Sequence, residues 1–210
     1  MMTGKVIITI GRSFGSRGAE IGRKIAEKLG IPFYDKEILE EQVKNSGFTS
    51  EYLSSFDEKR SSSLLYSIFM NPESIMLQSG YGSTQPMDLA VQKVQFQTIH
   101  EIAEKGSCVI VGRRADQILK NDYNVLSVFI NAADEDRINH VCERDGLTRK
   151  EAESKIKRMD RSRRSYYNYY GDSEWGEASN YDICLNSSVF GVEACADLIV
   201  HSLKAKGYVE

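Results

Sequence analysis

Short apolar runs that alternate with helical patterns constrain the fold of this chain more than any other feature. We predict strands over Lys5 to Ile10, Ile31 to Tyr34, Ser107 to Val111, Asn124 to Ile130 and Tyr181 to Leu185. The last three runs are almost continuously apolar, which is typical of strands buried on both faces of a parallel sheet. The alternation therefore predicts an α/β fold with three layers, in which a mostly parallel five-stranded sheet carries helices on both faces.

The last helical pattern supports this architecture because its apolar residues fall on one stripe that can pack on the sheet. The stripe consists of Val192, Cys195, Ala196, Ile199, Val200 and Leu203. In sheets of this type, ligands bind beyond the carboxyl ends of the strands. We therefore look for function in the segments that follow the predicted strands.

Two stretches interrupt the alternation. Residues Thr49 to Lys105 are predicted to form several helices with a polar break at Gln78 to Gln85, and a basic run follows Arg144. We expect a single domain over residues 1–210, in which residues 36–105 form a helical insertion and residues 144–175 form a lid. Asp35 is placed to cap a helix that begins near Lys36.

Charge, cysteine usage and hydropathy exclude several classes of protein. A formal net charge of -3 argues against a globally basic nucleic-acid binder. The three histidines lie far apart and the four cysteines form no CxxC pair, so a zinc site is not expected. We expect all four cysteines to be structural, with Cys108 and Cys184 inside apolar strands. No apolar run is long enough for a membrane span and no signal-peptide pattern is visible, so the expected location is cytoplasmic.

A glycine-containing turn directly after the first strand is the strongest candidate for a binding site. It runs from Gly11 to Gly18 and a helical pattern follows at once, so backbone amides and a helix N-terminus can converge on an anion. The candidate phosphate-binding residues are Gly11, Arg12, Ser13, Gly15, Ser16, Arg17, Gly18 and Ala19. The alternative is a strand-to-helix turn that binds no nucleotide.

Comparison with the phosphate-binding pattern G-x-x-x-x-G-K-[ST] shows where this turn departs from it. If Gly11 is the first glycine, Ser16 stands in the place of the second and Arg17 in the place of the lysine. Arg17 is then the predicted cation between the β and γ phosphates, although a guanidinium is not equivalent to an ammonium group. Ala19 lacks a hydroxyl for magnesium, which leaves Ser13 or Ser16 as ligands, or an ion held mainly by phosphates and water.

The basic run from Arg144 to Tyr170 combines arginines with a tyrosine cluster. Arg158, Arg161 and Arg164 recur at a spacing that places them on one helix face, and Asp160 can pair with Arg163 or Arg164. Combined with the phosphate-binding turn, this basic stretch predicts phosphoryl transfer, in which arginines align the reactants and neutralise charge. The predicted catalytic residues of the stretch are Arg158, Arg161, Arg163 and Arg164. Two alternatives stay open: a solvated basic helix, and a surface for single-stranded nucleic acid.

Taken in order, these segments resemble the cytidylate kinase-like proteins of the nucleoside monophosphate kinase group. The resemblance rests on GRSFGSRGAEIG, PFYDKEIL, CVIVGRRAD, RMDRSRRSYYNYY and YDICLNSS. It implies a P-loop kinase fold, ATP and Mg²⁺ on the donor side, an acceptor site between the second strand and the inserted helices, and an arginine-rich lid.

The resemblance also implies acceptor residues. Arg113 follows the third strand, where cytidylate kinases have a Gly-Arg-Asp triplet that contacts the acceptor. Here the triplet reads Gly112, Arg113 and Arg114, so Asp116 is the substitute candidate for the missing aspartate. Tyr34 and Asp35 are further candidates, although a buried tyrosine and a capping aspartate explain them almost as well.

The resulting hypothesis is ATP-dependent phosphoryl transfer to a nucleoside monophosphate, with CMP or dCMP first among acceptors. Two alternatives are a kinase for another small metabolite and a nucleotide-binding regulator with a degenerate loop. The expected partners are small nucleotides. We expect no membrane association, and nucleic acid is a disfavoured partner. A homo-oligomer is left open.

Overall fold

A computed structural model describes residues 4–35, 86–169 and 173–209, with side chains from residue 96 onward in the second range. The strands are β1 (Ile7–Arg12), β2 (Phe33–Tyr34), β3 (Cys108–Val111), β4 (Val125–Asn131) and β5 (Ile183–Asn186). The helices in these ranges are α1 (Gly18–Leu29), α2 (Pro86–Lys105), α3 (Ala115–Leu119), α4 (Asp134–Asp145), α5 (Arg149–Tyr169) and α6 (Ser187–Ala205), with one 3₁₀ turn at Ala178–Asn180.

The five strands form one parallel sheet in the order β2-β3-β1-β4-β5. Strand β1 is central, since Ile7 is in register with Cys108 of β3 and with Val125 of β4. Because parallel strands end at the same edge, the segments that follow β1, β3 and β4 are neighbours there. The sheet order therefore brings distant parts of the sequence to one place.

Two hydrophobic layers cover the sheet, one on each face. Ile8 and Ile10 of β1 belong to the cluster under α1 and α6, whereas Ile7 belongs to the cluster under α2 and α3. Alternate residues of a strand point to opposite faces, so a continuous apolar run supplies both layers. The predicted three-layer α/β fold is thereby confirmed, as is the apolar stripe of α6, in which Cys195 and Ile199 are fully buried.

A third apolar cluster attaches α4 and α5 to the turn after β1. Its buried members are Phe14, Ile138, Val141, Ala152 and Ile156. Phe14 belongs to the glycine-containing turn, and the other four side chains come from the two helices. The turn is therefore packed against the arginine-bearing helix α5 and its neighbour α4.

Strand β5 differs from the prediction. It lies at the edge of the described sheet and pairs with β4, so its residues are only partly buried and Cys184 is exposed. The prediction of a strand buried on both faces is wrong here, because an edge strand lacks a neighbour on one side. Strand ends also shift, as β1 begins two residues later than predicted and extends through Arg12.

Several predictions fall on residues that the structure does not describe. They are the helix near Lys36, the helices between Thr49 and Gln85, the polar break at Gln78 to Gln85, and Tyr170. Helix α2 is the described end of the predicted helical stretch. Within the described ranges, every helix is too short or too polar to span a bilayer.

Candidate active site

The turn between β1 and α1 has the backbone conformation of an anion cradle. Gly15 has φ 83° and Arg17 has φ 60° and ψ 19°, both in the left-handed region, and α1 begins at Gly18. Left-handed residues within such a turn direct successive amides to one point, and the helix N-terminus adds a positive partial charge. A left-handed conformation costs a residue other than glycine about 1–2 kcal/mol, so the surrounding contacts must hold Arg17 there.

Hydrogen bonds from β4 and α6 hold the base of this turn. The Ser13 amide donates to the Ile130 carbonyl at 3.0 Å, and the Ser16 hydroxyl lies 2.9 Å from the Ser13 carbonyl and 3.1 Å from that of Ile130. The Ser187 hydroxyl lies 2.8 Å from the Ser16 carbonyl. The side chain of Ser16 is fully buried and braces the turn from below, which leaves Ser13 as the better hydroxyl candidate for an ion.

Helices α4 and α5 hold the tip of the turn. The Phe14 amide donates to Asp160 Oδ1 at 2.7 Å, and the Phe14 carbonyl accepts from Arg137 Nε at 2.8 Å. Arg137 also forms an ion pair with Asp160, and Arg137 itself is buried. The predicted partners of Asp160 were Arg163 and Arg164, but its carboxylate binds the turn and Arg137 instead.

Cationic side chains surround the ring of Phe14. The guanidinium carbons of Arg144 and Arg163 lie 5.0 Å and 5.2 Å from the ring centroid, and Lys155 Nζ lies at 6.0 Å. Arg163 Nη1 also donates to the Arg12 carbonyl at 3.0 Å. Arg163 is thus the predicted lid arginine that the structure brings to the glycine-containing turn.

The other three lid arginines lie beside the neighbouring helix α4. Arg158, Arg161 and Arg164 line one groove between α4 and α5, as their spacing predicts. The described residues that line this groove include Asp134, Glu135 and Glu153 but none from the turn at Gly11 to Gly18. The groove is therefore mixed in charge, and it is also lined by Arg137 and Asp160, which hold the Phe14 backbone. The Arg164 guanidinium in addition lies 5.6 Å from the ring of Trp175.

Arg17 forms an ion pair within its own helix. Its guanidinium binds Glu20 through Nε at 2.9 Å and Nη2 at 2.7 Å, and its side chain is 50% exposed. The hydrogen bonds that Arg17 donates to the Glu20 carboxylate raise the pKa of Arg17. The joint action of Arg17 and the arginines of residues 158–164 on one phosphate stays a prediction.

The turn after β3 repeats the left-handed conformation. Gly112 has φ 80°, Arg113 has φ 57° and Arg114 has φ 55°, and α3 begins directly afterwards. The Arg114 guanidinium lies 5.9 Å from the ring of Tyr167 in α5. The turn after β3 therefore contains two left-handed arginines, and it lies at the end of the strand next to β1.

Comparisons with known proteins decide the family of the chain. The model of the cytidylate kinase-like family matches residues 7–189, which is most of the sequence. The chain belongs to the cytidylate kinase-like family. This result confirms the predicted family and the assignment as a phosphotransferase.

Individual relatives agree with the family match. The chain is 28% identical over 191 residues to a cytidylate kinase of Pyrococcus horikoshii, covering 90% of this chain and 83% of the relative. It is 25% identical over 197 residues to a cytidylate kinase of Methanopyrus kandleri, covering 90% and 88%.

Two solved structures agree with the fold. An uncharacterized protein from Eubacterium ventriosum has a TM-score of 0.72 and 31% identity, covering 96% of this chain and 99% of that one. A shikimate kinase from Bacteroides thetaiotaomicron has a TM-score of 0.51 and 15% identity, covering 95% and 98%. This cytidylate kinase-like chain thus has the predicted P-loop kinase fold.

The predicted acceptor residues of this family member lie at two strand ends. Asp116 is buried, and its Oδ2 accepts from the Tyr167 hydroxyl at 2.6 Å and from Gln117 Nε2 at 3.0 Å. Burial and the nearby carboxylate raise the pKa of Tyr167, so the phenol stays protonated as the donor. Asp116 therefore connects α3 to α5, and both donors bind the same carboxylate oxygen.

Tyr34 is the last residue of β2 and Asp35 follows it, on the side of β3 that is away from β1. Tyr34 is half-buried against the cluster under α2 and α3, and burial raises its pKa. Asp35 Oδ2 lies 3.4 Å from Arg23 Nη2. The helix that Asp35 was predicted to cap begins in the residues that the structure does not describe.

Sequence reasoning missed two features of the site. Arg137 lies inside an ordinary charged helix, and nothing in its spacing indicates that it binds the turn. Phe129, Trp175 and Tyr181 form an aromatic group, with Phe129 5.3 Å from Trp175 and 5.0 Å from Tyr181 between ring centroids, and the rings of Phe129 and Tyr181 lie next to Gly11. The chain contains one tryptophan, and its position just after the basic run was the available signal.

Proposed function

We propose that this protein transfers a phosphoryl group from ATP to a nucleoside monophosphate, with CMP or dCMP as the first acceptors to test. The products are ADP and the nucleoside diphosphate. Family membership and the cytidylate kinases among the relatives support this reaction. The observation that carries it is the left-handed turn at Gly15 and Arg17, which opens helix α1 at the carboxyl end of the central strand.

On the donor side, the backbone amides of the turn and the N-terminus of α1 bind the phosphates of ATP. The residues proposed here are those predicted from the sequence, from Gly11 to Ala19. Their role is electrostatic, because phosphoryl transfer depends on positioning and on neutralising the phosphate oxygens. Arg163 reaches this turn from α5 and is the lid arginine best placed to act on the transferred group.

On the acceptor side, Arg113 and the end of β2 are the proposed contacts. Arg113 follows β3 and Asp35 follows β2, and these strands are neighbours in the sheet. A monophosphate bound there lies beside the turn after β1, so the two nucleotides meet at one edge. Asp116 and Tyr167 are proposed to position the turn after β3, since each is hydrogen-bonded to the other.

Magnesium fits this site as an ion held mainly by phosphates and water. The described residues contain no cluster of three carboxylate, histidine or cysteine side chains that could bind a metal. A bound Mg²⁺ ion neutralises phosphate charge in such reactions. Ser13 is the proposed protein ligand, because the hydroxyl of Ser16 is buried beneath the turn.

Residues 144–175 are proposed to act as the lid. Helix α5 contacts the turn through Asp160 and Arg163, and helix α4 contacts it through Arg137. A movement of α5 therefore changes contacts with the turn directly. We further propose a cytoplasmic location and small nucleotides as partners, and we leave a homo-oligomer open.

A second candidate is a nucleotide-binding regulator that has lost turnover. The turn has no lysine, since Arg17 stands in its place in the predicted register, and Ala19 has no hydroxyl for magnesium. This candidate predicts ATP binding without product formation. A kinase for another small metabolite predicts ADP formation with a different acceptor.

One assay separates the proposed function from the other two candidates. ADP release is measured with ATP, Mg²⁺ and each of CMP, dCMP, UMP, AMP and GMP, with ATP alone as the blank. Acceptor-dependent ADP release that is fastest with CMP or dCMP supports the proposal. ATP binding by calorimetry without ADP release from any nucleotide contradicts it and favours the other two candidates.

A further inference from the structure

We infer that Arg12, rather than Arg17, supplies the phosphate-binding cation that a lysine supplies in other P-loop kinases. This inference rests on the proposed function, because it concerns the donor phosphates at the same turn. It begins with the conformation of the backbone. In the pattern G-x-x-x-x-G-K-[ST], the second glycine directly precedes the lysine, and the helix follows.

The conformation shifts the register of the pattern by one residue. Arg17 is left-handed with φ 60° and directly precedes the helix, which is the conformation that glycine adopts at low cost. Arg17 therefore holds the place of the second glycine, and Gly18 holds the place of the lysine. Counting back five positions, Arg12 holds the place of the first glycine. A glycine and a cation have thus exchanged places.

Contacts at Gly18 show that the side chain of Arg12 also occupies the space of the missing lysine side chain. A Cβ atom on Gly18 would lie 2.7 Å from Cβ and 3.1 Å from Cγ of Arg12. The stem of Arg12 therefore occupies the space in which a lysine side chain at position 18 would start. A side chain at position 18 and the side chain of Arg12 exclude each other.

The guanidinium of Arg12 extends toward the turn after β3. A Cβ atom on Gly112 would collide with Arg12 Nη1 and would lie 3.0 Å from Cζ, so the absence of a side chain there admits the guanidinium. Arg12 thus reaches from the donor turn to the turn that carries Arg113. Its planar fork can bind two phosphate oxygens at once, which suits a position between two nucleotides.

The lid fixes the backbone of Arg12. Arg163 Nη1 donates to the Arg12 carbonyl at 3.0 Å, and the residue is half-buried at the end of β1. Arg17 lacks this placement, since its guanidinium binds Glu20 on the same helix. The structure therefore holds Arg12 at the junction of the two turns, while Arg17 serves mainly the conformation of its own turn.

The test compares Arg12→Met with Arg17→Met in the full chain. Binding of ATP and of inorganic tripolyphosphate is measured by calorimetry, and ADP release is measured with CMP. We expect Arg12→Met to weaken tripolyphosphate binding about tenfold or more and to lower kcat about 10²-fold or more. Arg17→Met should lose at least about tenfold less activity than Arg12→Met. Thermal unfolding of both variants verifies that they fold.

A rescue experiment guards against a merely structural effect. The double variant Arg12→Gly with Gly18→Lys restores the common order of glycine and lysine, and we expect it to recover at least about tenfold of the activity lost in Arg12→Gly. Gly18→Lys alone should be impaired, because its side chain collides with the stem of Arg12. Recovery in the double variant supports the exchange, whereas equal impairment of both single variants and the double variant overturns it.

The outcomes distinguish this inference from the proposed function. If the wild-type protein binds ATP through Arg12 but phosphorylates no nucleoside monophosphate, the proposed function fails and the inference stands. If the wild-type protein phosphorylates CMP and Arg12→Met does so equally well, the function stands and the inference is overturned. Loss of tripolyphosphate binding in Arg17→Met but not in Arg12→Met also overturns it.

Discussion

The turns after β1 and β3 are alike in conformation but differ in what holds them. Each contains a glycine with φ near 80° and ends in a left-handed arginine that directly precedes a helix. The turn after β1 is clamped by charged groups of α4 and α5 that bind the Phe14 backbone. The turn after β3 is held from the side, where Asp116 binds Tyr167 of α5.

This difference shows how one helix can control both halves of a site. Helix α5 contacts the first turn through Asp160 and Arg163 and positions the second through Tyr167. Strained backbone at two neighbouring strand ends persists only where surrounding contacts hold it. We expect changes at the first turn to affect function most, because its contacts fix the backbone of the turn that is proposed to bind the donor phosphates.

The largest expected effect is that of Arg163→Ala. Arg163 connects α5 to the Arg12 carbonyl at 3.0 Å, and its removal deletes a lid cation from the first turn. We expect kcat to fall about 10²- to 10³-fold while ATP affinity changes much less, because an arginine of this kind acts mainly in the transition state. Steady-state kinetics and calorimetry measure the two quantities.

Arg158→Ala is the matched comparison for Arg163→Ala. Arg158 lies on the groove face of the same helix, so we expect its removal to cost distinctly less activity than removal of Arg163. Equal losses of kcat and ATP affinity in Arg163→Ala would argue against a transition-state role. A larger loss in Arg158→Ala would shift the active face of α5 to the groove.

The second prediction compares the same substitution in the two turns. In Gly15→Ala, the new Cβ would lie 2.9 Å from the backbone carbonyl of Arg137 at φ 83°, so both strain and a clash with fixed atoms oppose it. In Gly112→Ala, the collision is with the flexible end of Arg12. We expect Gly15→Ala to lower the free energy of unfolding by about 3 kcal/mol and Gly112→Ala by about 1–2 kcal/mol.

Denaturant unfolding measures both changes, with Gly146→Ala as the control. Gly146 has φ 66°, and a Cβ there meets nothing within 4 Å, so this variant reports the cost of the left-handed conformation alone. We expect that cost to be about 1 kcal/mol. If Gly15→Ala were no worse than Gly146→Ala, the clamp from α4 would be looser than the structure indicates.

The sequence predicted the layers and the order of elements because local patterns determine them. Alternating apolar runs and helical stripes are readable residue by residue, and the sheet edge follows from their order. Local patterns did not show how the turn aligns with the phosphate-binding pattern G-x-x-x-x-G-K-[ST]. Spacing alone placed Arg17 at the lysine position, whereas the φ of Arg17 and the space above Gly18 depend on tertiary contacts.

The lid also shows one feature that the sequence predicted and one that it did not. The spacing of Arg158, Arg161 and Arg164 correctly placed them on one face, but it gave no information on which face of the helix meets the turn. That choice is made by Phe14, Ile138 and Ile156, which pack α4 and α5 against the turn. Asp160 and Arg163 meet the turn because they share this packed side, and a single helical pattern does not reveal its partner.

The third prediction concerns the turn after β3. Tyr167→Phe removes the hydroxyl that binds Asp116 at 2.6 Å and leaves a buried carboxylate with one fewer donor. We expect the free energy of unfolding to fall by about 1–2 kcal/mol. Chemical denaturation measures this change, and the KM for CMP should rise more than the KM for ATP if the second turn serves the acceptor.

Asp116→Asn is the companion variant for Tyr167→Phe. An amide oxygen can still accept from the Tyr167 hydroxyl, so we expect a smaller loss of stability than in Tyr167→Phe. A rise in the KM for ATP alone in either variant would contradict the assignment of this turn to the acceptor. The turn after β3 would then be assigned to the donor rather than to the acceptor.

The smallest expected effect is that of Arg17→Gly. Glycine relieves the left-handed strain of about 1–2 kcal/mol, but it adds freedom to the unfolded chain worth about 0.5–1 kcal/mol. The exposed pair with Glu20 is also lost, and such pairs contribute about 0–1 kcal/mol. These terms nearly cancel, so we expect the free energy of unfolding to change by less than about 1 kcal/mol.

Arg17→Ala keeps the strain and loses the pair, so it should be the less stable of the two variants in parallel denaturant titrations. If Arg17→Gly proved the less stable, the left-handed place before α1 would depend on the arginine side chain itself, and the register of the whole turn would need to be assigned again.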